Sequence, residues 1–223
     1  MPIDIRRELG IHELRRRFLP YTREAFARIP KRKRPRILDI GCGRGTSTLA
    51  LARLSNAEVV GFDIDETAVN ELKRRIEEEG LSHRVSVSVC SLFDTGFADQ
   101  SFDILLEEGV LHILDFDEAL AECHRLMKAG ATLVSAETVR WADGHLEAFA
   151  AAGFELVERV LWPSGCWWTE YYAPLERRVN RIREKLESPE DIAALRPYED
   201  EIAMVKADLA ATDCGHFLFR STS

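Results

Sequence analysis

The sequence predicts an α/β fold: a doubly wound, seven-stranded sheet with helices on both faces and extra helices laid over it as a cover. Three observations support this. Apolar, β-branched segments alternate with segments of helical period, the pattern of a parallel sheet packed between helices. A turn with three glycines on alternating positions, "ILDIGCGRGTSTLALA" (37–52), joins the first of those strands to an Ala/Leu-rich helix. At 223 residues with 46% hydrophobic content, the chain can bury one sizeable core with an inserted or appended subdomain.

Helices are expected from about residue 4 to 29, forming with the following basic linker an N-terminal cover over residues 1–35. The expected strands are "RILDIG" (36–41), "EVVGFD" (58–63), "RVSVSVC" (84–90), "FDILLEE" (102–108) and "ATLVSAE" (131–137). Between them, residues 66–79 carry Val69, Leu72 and Ile76 on one stripe, and residues 116–127 carry Phe116, Leu120, Cys123 and Met127 on another. Gly80 and Gly130 follow those stripes, where a left-handed residue closes a helix at least steric cost. A short helix over 145–152 leads to a strand "FELVERVLW" (154–162), and "HFLFR" (216–220) is the seventh strand. The core thus spans 36–162 and 213–223, and 163–212 is an insertion. In it, Leu175, Val179, Ile182 and Leu186 mark one helix, and Tyr198, Ile202, Val205 and Leu209 mark a second. Ser188 before Pro189 reads as a cap followed by a proline in the first turn.

Composition narrows the function classes. The net charge is -8, yet residues 1–36 hold twelve Lys/Arg against four Asp/Glu. The basic cluster "KRKRPR" (31–36) has no interleaved aromatics and precedes a chain that would repel a polyanion, so it reads as a solvated linker and no nucleic-acid partner is expected. No apolar run reaches the roughly 18 residues a membrane helix needs, and "MPIDIRRELG" lacks a signal-peptide core, so a cytoplasmic protein with no membrane partner is expected. Five cysteines without a CxxC pair point to reduced thiols. The sequence sets no oligomeric state.

The glycine turn lies where open α/β sheets bind ligands. Gly41, Gly43 and Gly45 let backbone approach a ligand closely, and the next helix offers free N–H groups. A dinucleotide fingerprint needs a small residue three positions after Gly43, where Thr46 stands. That misfit weighs against a nicotinamide oxidoreductase, which stays as a third reading.

The pattern Asp39-Ile-Gly41-Cys42-Gly43-Arg-Gly45 resembles motif I of the class I S-adenosylmethionine-dependent methyltransferases. The resemblance covers about residues 36–160 and implies a Rossmann-like sheet whose last strand is antiparallel. It implies that the glycine loop, Cys42 included, lies against the methionine part of S-adenosylmethionine, with S-adenosylhomocysteine as product. Asp63, 18 residues beyond Gly45, stands where the family's acid takes both ribose hydroxyls, and a carboxylate has the two acceptor oxygens this needs. Ile64 matches the apolar position on adenine. Ser91 stands where the family commonly has Asp for the adenine amino group, so Leu92 backbone or Asp94 is expected to share that role. "RLMKAG" resembles the family's turn before strand five. Asp39 is read either as a buried prop for the loop or as a direct cofactor contact.

In "LLEEGVLHILDF", the resemblance implies that Glu108, Gly109 and His112 lie beside the reactive methyl. Strand side chains alternate, so of Glu107 and Glu108 only one points into the site, and Glu108 is favoured for cofactor contact and catalysis. His112 is read as a catalytic residue or as a brace for the loop. "WPSGCWWTEYYAPLERRV" (162–179) concentrates three of the four tryptophans. Trp168, Glu170, Tyr171 and Tyr172 are candidates for the acceptor pocket, with interface packing as the alternative, and Glu137 and Trp141 complete the rim by fold position. With "EEG" after strand four, this segment is similar to a type 11-like bacterial and archaeal subgroup with no assigned acceptor. No metal site is expected, because the six histidines are dispersed. Thiol-based arsenic chemistry is disfavoured by the lack of paired cysteines. The expected function is methyl transfer to a small-molecule acceptor in a lidded pocket. The alternative is a non-catalytic cofactor-binding protein that uses the basic N-terminus as its contact surface.

Overall fold

The computed structural model describes residues 5–222; the start of the expected cover, residues 1–4, and Ser223 lie outside the described residues. Three helices come first, α1 (Ile5–Glu8), α2 (Ile11–Arg15) and α3 (Leu19–Arg28). The sheet region then runs β1 (Arg36–Ile40), α4 (Thr46–Leu54), β2 (Glu58–Asp63), α5 (Glu66–Glu78), β3 (Val85–Val89), β4 (Phe102–Glu108), α6 (Phe116–Leu126), β5 (Met127–Thr138), α7 (Val139–Ala151) and β6 (Phe154–Leu161). A π-helical segment (Trp168–Tyr172) leads into α8 (Ala173–Arg183), α9 (Pro189–Ala193) and α10 (Arg196–Ala207), and β7 (Cys214–Ser221) ends the chain. Two compact units result: a sheet unit of Tyr21–Leu161 with Gly215–Ser223, and a helical unit of Met1–Pro20 with Trp162–Cys214. The division falls inside α3, after Pro20.

The seven strands lie in the order β3-β2-β1-β4-β5-β7-β6, as the sequence predicts for a doubly wound sheet. β1, β2, β3, β4 and β5 pair in parallel and β6 pairs with β7 antiparallel. Side-chain alternation gives the central strands β1, β4 and β5 two buried faces, while the edge strands β3 and β6 expose one. On one face Leu38, Ile40, Leu105, Phe217 and Phe219 pack with Leu120, Cys123 and Phe149 of α6 and α7. On the other, Ile37, Val59, Ile104, Leu106 and Leu218 pack with Ala25, Leu49, Leu51, Leu72 and Ile76 of α3, α4 and α5. Strand order reverses between β1 and β4, so the crevice at their carboxyl ends is the topological switch point where such sheets take ligands.

Several boundaries depart from the sequence reading. β5 begins at Met127, because the register with β4 steps from Phe102↔Met127 to Ile104↔Thr132 and the extra residues bulge outward. Gly130, with φ 67°, therefore sits in that bulge and does not close α6. α7 starts at Val139, six residues before the expected helix, because Thr138 Oγ1 accepts from Trp141 N and caps it.

Between β6 and β7, three α-helices and a π-helical segment replace the two predicted helices. Ser188 Oγ accepts from Asp191 N and Pro189 enters the first turn of α9, as expected. The following Pro197 opens a separate helix, α10. The stripe of α10 ends at Val205, and Leu209 is exposed in a 3₁₀ turn. Arg178 of α8 ties the N-terminal helices down through Leu9 O at 3.0 Å, Gly10 O at 3.2 Å and the Glu13 carboxylate at 2.9 Å. Phe18 lies tilted against Trp167 at 4.3 Å and stacks on Trp162 at 5.3 Å between ring centroids.

Candidate functional site

The site is built where β1 and β4 end, side by side across the switch point. After β1, Gly41, Gly43 and Gly45 adopt φ of 68°, 49° and 76°, a left-handed run that side chains resist. Each glycine meets a different neighbour. A Cβ on Gly41 would lie 2.6 Å from Val110 Cγ2, in the turn after β4, and one on Gly45 would lie 2.1 Å from Leu72 Cδ1 in α5. A Cβ on Gly43 would have only Asp63 Oδ2 near it, at 3.8 Å. The loop is thus clamped at both ends and open at its centre.

Asp63 closes that centre on one side. Its Oδ2 accepts from Gly43 N at 2.7 Å and its Oδ1 from Asp65 N at 2.9 Å. A carboxylate oxygen has two lone pairs, so both oxygens keep acceptor capacity for a pair of vicinal hydroxyls. Beside it Ile64 is 79% exposed, an apolar face without a cover in the sheet unit. Ser91 Oγ accepts from Phe93 N at 3.3 Å, so it caps the 3₁₀ turn Leu92–Asp94, and the Leu92 side chain is buried. Cys42 is buried beneath the loop, and burial pushes its thiol up.

On the face shared with α3 and α4 lies a buried polar cluster. Asp39 Oδ2 accepts from Thr48 Oγ1 at 2.5 Å. Burial pushes the Asp39 carboxyl up to about 7, against the Thr48 hydrogen bond and with the charges of Glu108 and Asp63 adding to the rise. That bond ties the end of β1 to the helix that follows the loop. Glu108 accepts from Thr22 Oγ1 at 2.6 Å and from Ser47 Oγ, and pairs with His216 Nε2 at 3.2 Å. Burial raises the Glu108 carboxyl, but His216, Ser47 and Thr22 more than offset this and hold it below the ordinary carboxylate range. Glu108 is therefore an anion with three partners that leaves 32% of its side chain accessible.

Alternation sends Glu107 to the opposite face, where it is fully buried. Its carboxylate accepts from Val110 N at 3.0 Å and Leu111 N at 3.3 Å, and from Ser135 Oγ. Those bonds fix the turn that carries His112. The His112 ring nitrogen Nδ1 lies 3.0 Å from both carboxylate oxygens of Glu137, which is buried while His112 is 42% exposed. Burial pushes both Glu107 and Glu137 up, and the charge of Glu137 raises Glu107 further. Trp141 stands edge-on to His112 at 6.5 Å and stacks on His145 at 4.2 Å.

The sheet unit thus brings together Asp39, Gly41, Cys42, Gly43, Gly45, Asp63 and Ile64, and at the neighbouring strand ends Glu108, His112, Glu137 and Trp141. The other candidates belong to the helical unit. Tyr171 and Tyr172 are buried there, Tyr171 6.5 Å from Phe18 between ring centroids and Tyr172 donating from its hydroxyl to Glu201 Oε1 at 2.9 Å. Trp168 lies under Lys206 Nζ at 5.3 Å, and the Glu170 carbonyl accepts from Arg17 at 3.3 Å. The sequence reading did not single out Thr22, Ser47, Glu107 or His216. Among the described residues, no group of three or more His, Cys, Asp or Glu is placed to hold a metal ion, and no helix is long and apolar enough to cross a membrane.

A glycine loop after the first strand, an acid at the end of the second and this strand order define a methyltransferase-type α/β domain. The family model described as "Methyltransferase domain" matches residues 31–180, and the chain belongs to that family. It is 31% identical over 135 residues to methyltransferase GfsG of Streptomyces halstedii, covering 60% of this chain and 48% of that protein. The chain spans about half or less of the length of the curated relatives it matches first. Among solved structures, the cyclase SpnF superposes with a TM-score of 0.76 at 22% identity, over 90% of this chain and 80% of that one. Phosphoethanolamine N-methyltransferase 2 of Haemonchus contortus, in complex with S-adenosyl-L-methionine, does so at 0.65 and 18%, over 90% of this chain and 51% of that one. These likenesses show the fold.

Proposed function

We propose that the protein transfers a methyl group from S-adenosylmethionine to a small-molecule acceptor, with the cofactor lying across the glycine loop and Asp63. The observation that carries the reading is the 2.7 Å hydrogen bond from Gly43 N to Asp63 Oδ2, beside a glycine that only open space and that carboxylate face. The residues fit the cofactor part by part: bare backbone at Gly43 for the aminoacyl tail, two carboxylate oxygens for the ribose, and the exposed Ile64 with the Ser91–Leu92 turn for adenine. Family membership and the methyltransferase relatives support the same reaction.

When bound, S-adenosylmethionine supplies a sulfonium methyl open to in-line displacement. The chain's task is to orient the two reactants and exclude water. Glu108 holds its negative charge at the mouth of β4, where it favours a cation, while Glu107 fixes the adjoining turn.

Titration calorimetry with S-adenosylhomocysteine tests the assignment. Asp63→Ala should weaken binding by about 1.5–3 kcal/mol, the worth of charge-assisted hydrogen bonds. An unchanged affinity removes Asp63 from the ribose site. Binding without labelled methyl appearing in any product of a metabolite extract would favour the non-catalytic alternative.

A further inference from the structure

We propose that Thr22 of α3 and His216 of β7 are positioning residues that act through Glu108, aiming its one remaining acceptor position at the ammonium group of the cofactor's aminoacyl tail. This rests on the methyl-transfer reading above and deepens it at the tail.

Three elements distant in the chain converge on this carboxylate, all within the sheet unit. Thr22 Oγ1 lies 2.6 Å and His216 Nε2 3.2 Å from Oε1, and Ser47 Oγ of α4 bonds Oε2. A carboxylate has about four lone-pair positions, two on each oxygen, so Oε1 is filled and Oε2 keeps one. Thr22 and His216 are buried, His216 completely, whereas 32% of the Glu108 side chain stays accessible. The open position thus belongs to an acid whose direction is set by two side chains that solvent hardly touches.

Placement selects the group that this position meets. Ile40 pairs with Glu107 across β1 and β4, so Glu108 stands beside Gly41, the first glycine of the loop. Ser47 lies in the first turn of α4, two residues beyond Gly45, the last. The acid therefore borders the loop assigned to the aminoacyl tail, and the cation of that tail is its ammonium group. Asp39, the other acid of this face, has Thr48 on Oδ2, and burial pushes its carboxyl up to about 7. Burial also works against the charge of Glu108, but His216 leads the groups that outweigh it. Glu108 is left as the standing anion of the face, and a charge-assisted hydrogen bond is about twice as strong as a neutral one.

Calorimetry with two ligands tests the proposal. S-adenosylhomocysteine carries the ammonium group; 5′-methylthioadenosine has the same adenosine and thioether without the tail. Glu108→Gln and His216→Phe should each weaken S-adenosylhomocysteine by about tenfold or more, the worth of a hydrogen bond to a charged group, and leave 5′-methylthioadenosine within about threefold of wild type. Adding His216→Phe to Glu108→Gln should change the affinity by less than about threefold further, because His216 acts through the acid. Thr22→Val removes a donor at nearly constant shape and should weaken S-adenosylhomocysteine selectively, with recovery in Thr22→Ser; this pair decides the matter where His216→Phe does not fold. Equal losses for both ligands, additive losses in the double variant, or unchanged affinity in Glu108→Gln or Thr22→Val overturn the proposal. A wild-type protein that fails to bind S-adenosylhomocysteine sinks the methyl-transfer reading, whereas wild-type binding with any of those results sinks only the assignment of Thr22 and His216.

Discussion

Gly45→Ala and Gly43→Ala form a matched pair that separates what the glycine loop does for folding from what it does for binding. Both residues have positive φ, 76° and 49°, so each alanine meets the left-handed cost of about 1–2 kcal/mol. They differ in what the new methyl touches. On Gly45 it would lie 2.1, 2.7 and 2.9 Å from Cδ1, Cδ2 and Cγ of Leu72, a fully buried side chain with no solvent to rotate into. Overpacking of that kind adds about 1–3 kcal/mol, for a total of about 2–5 kcal/mol. On Gly43 the nearest atom is 3.8 Å away, so only the backbone cost applies. Urea unfolding should therefore show a larger midpoint shift for Gly45→Ala at unchanged slope. Titration with S-adenosylhomocysteine should show the reverse ranking. The Gly43 methyl fills the open centre assigned to the cofactor and should weaken binding at least about tenfold, or 1.4 kcal/mol. Equal midpoint shifts would refute the packing argument, and unaltered binding by Gly43→Ala would refute the placement of the ligand.

Three further outcomes are expected. The Asp39 carboxyl has its folded pKa raised from 3.8 to about 7, so the folded chain binds that proton more tightly than the unfolded chain and stability should fall as pH rises from about 4 to 7; Asp39→Asn, which keeps an acceptor for Thr48, should flatten that part of a stability–pH curve. Tyr172→Phe removes the 2.9 Å hydrogen bond to Glu201, whose carboxylate is half-buried and open to water, so chemical denaturation should register a loss of about 0.5–1.5 kcal/mol and no more. Glu107→Gln can keep one oxygen for Val110 N and Leu111 N and turn its amide toward Ser135 Oγ, so its thermal midpoint should stay near wild type; Glu107→Ala orphans two turn N–H groups and should lower it by several degrees.

The parts of this fold legible in the sequence are those whose signal is local. β2 and β4 run as predicted because apolar residues fill them to the acids that end them, and α5 follows its Val69, Leu72 and Ile76 stripe to Gly80. β5 and α7 were misplaced at their starts because a bulge in the pairing with β4 and a Thr138 cap decided them, and neither leaves a periodic trace. The division inside α3 is equally silent. Ala25 shares the helical character of the residues before it, yet it packs on the sheet.

The same distinction runs through the site. The glycine loop and Asp63 were readable because a short spacing carries their geometry, which the bond from Gly43 to Asp63 expresses directly. Glu108's partners were not, since Thr22 lies 86 residues before it and His216 lies 108 after it, and a lone Thr or His has no pattern. Alternation says that Glu107 and Glu108 face opposite ways, but it cannot say which face holds donors for a carboxylate. Only the strand order decides that. β7 beside β5 brings His216 to the α3 and α4 face with Glu108, and β5 beside β4 brings Ser135 and Glu137 to the other face with Glu107. Two adjacent acids of one sequence type thereby acquire opposite chemistry, one held as an anion by His216 and one pushed toward its neutral form by burial. A site of this kind is specified by topology before it is specified by any residue in it.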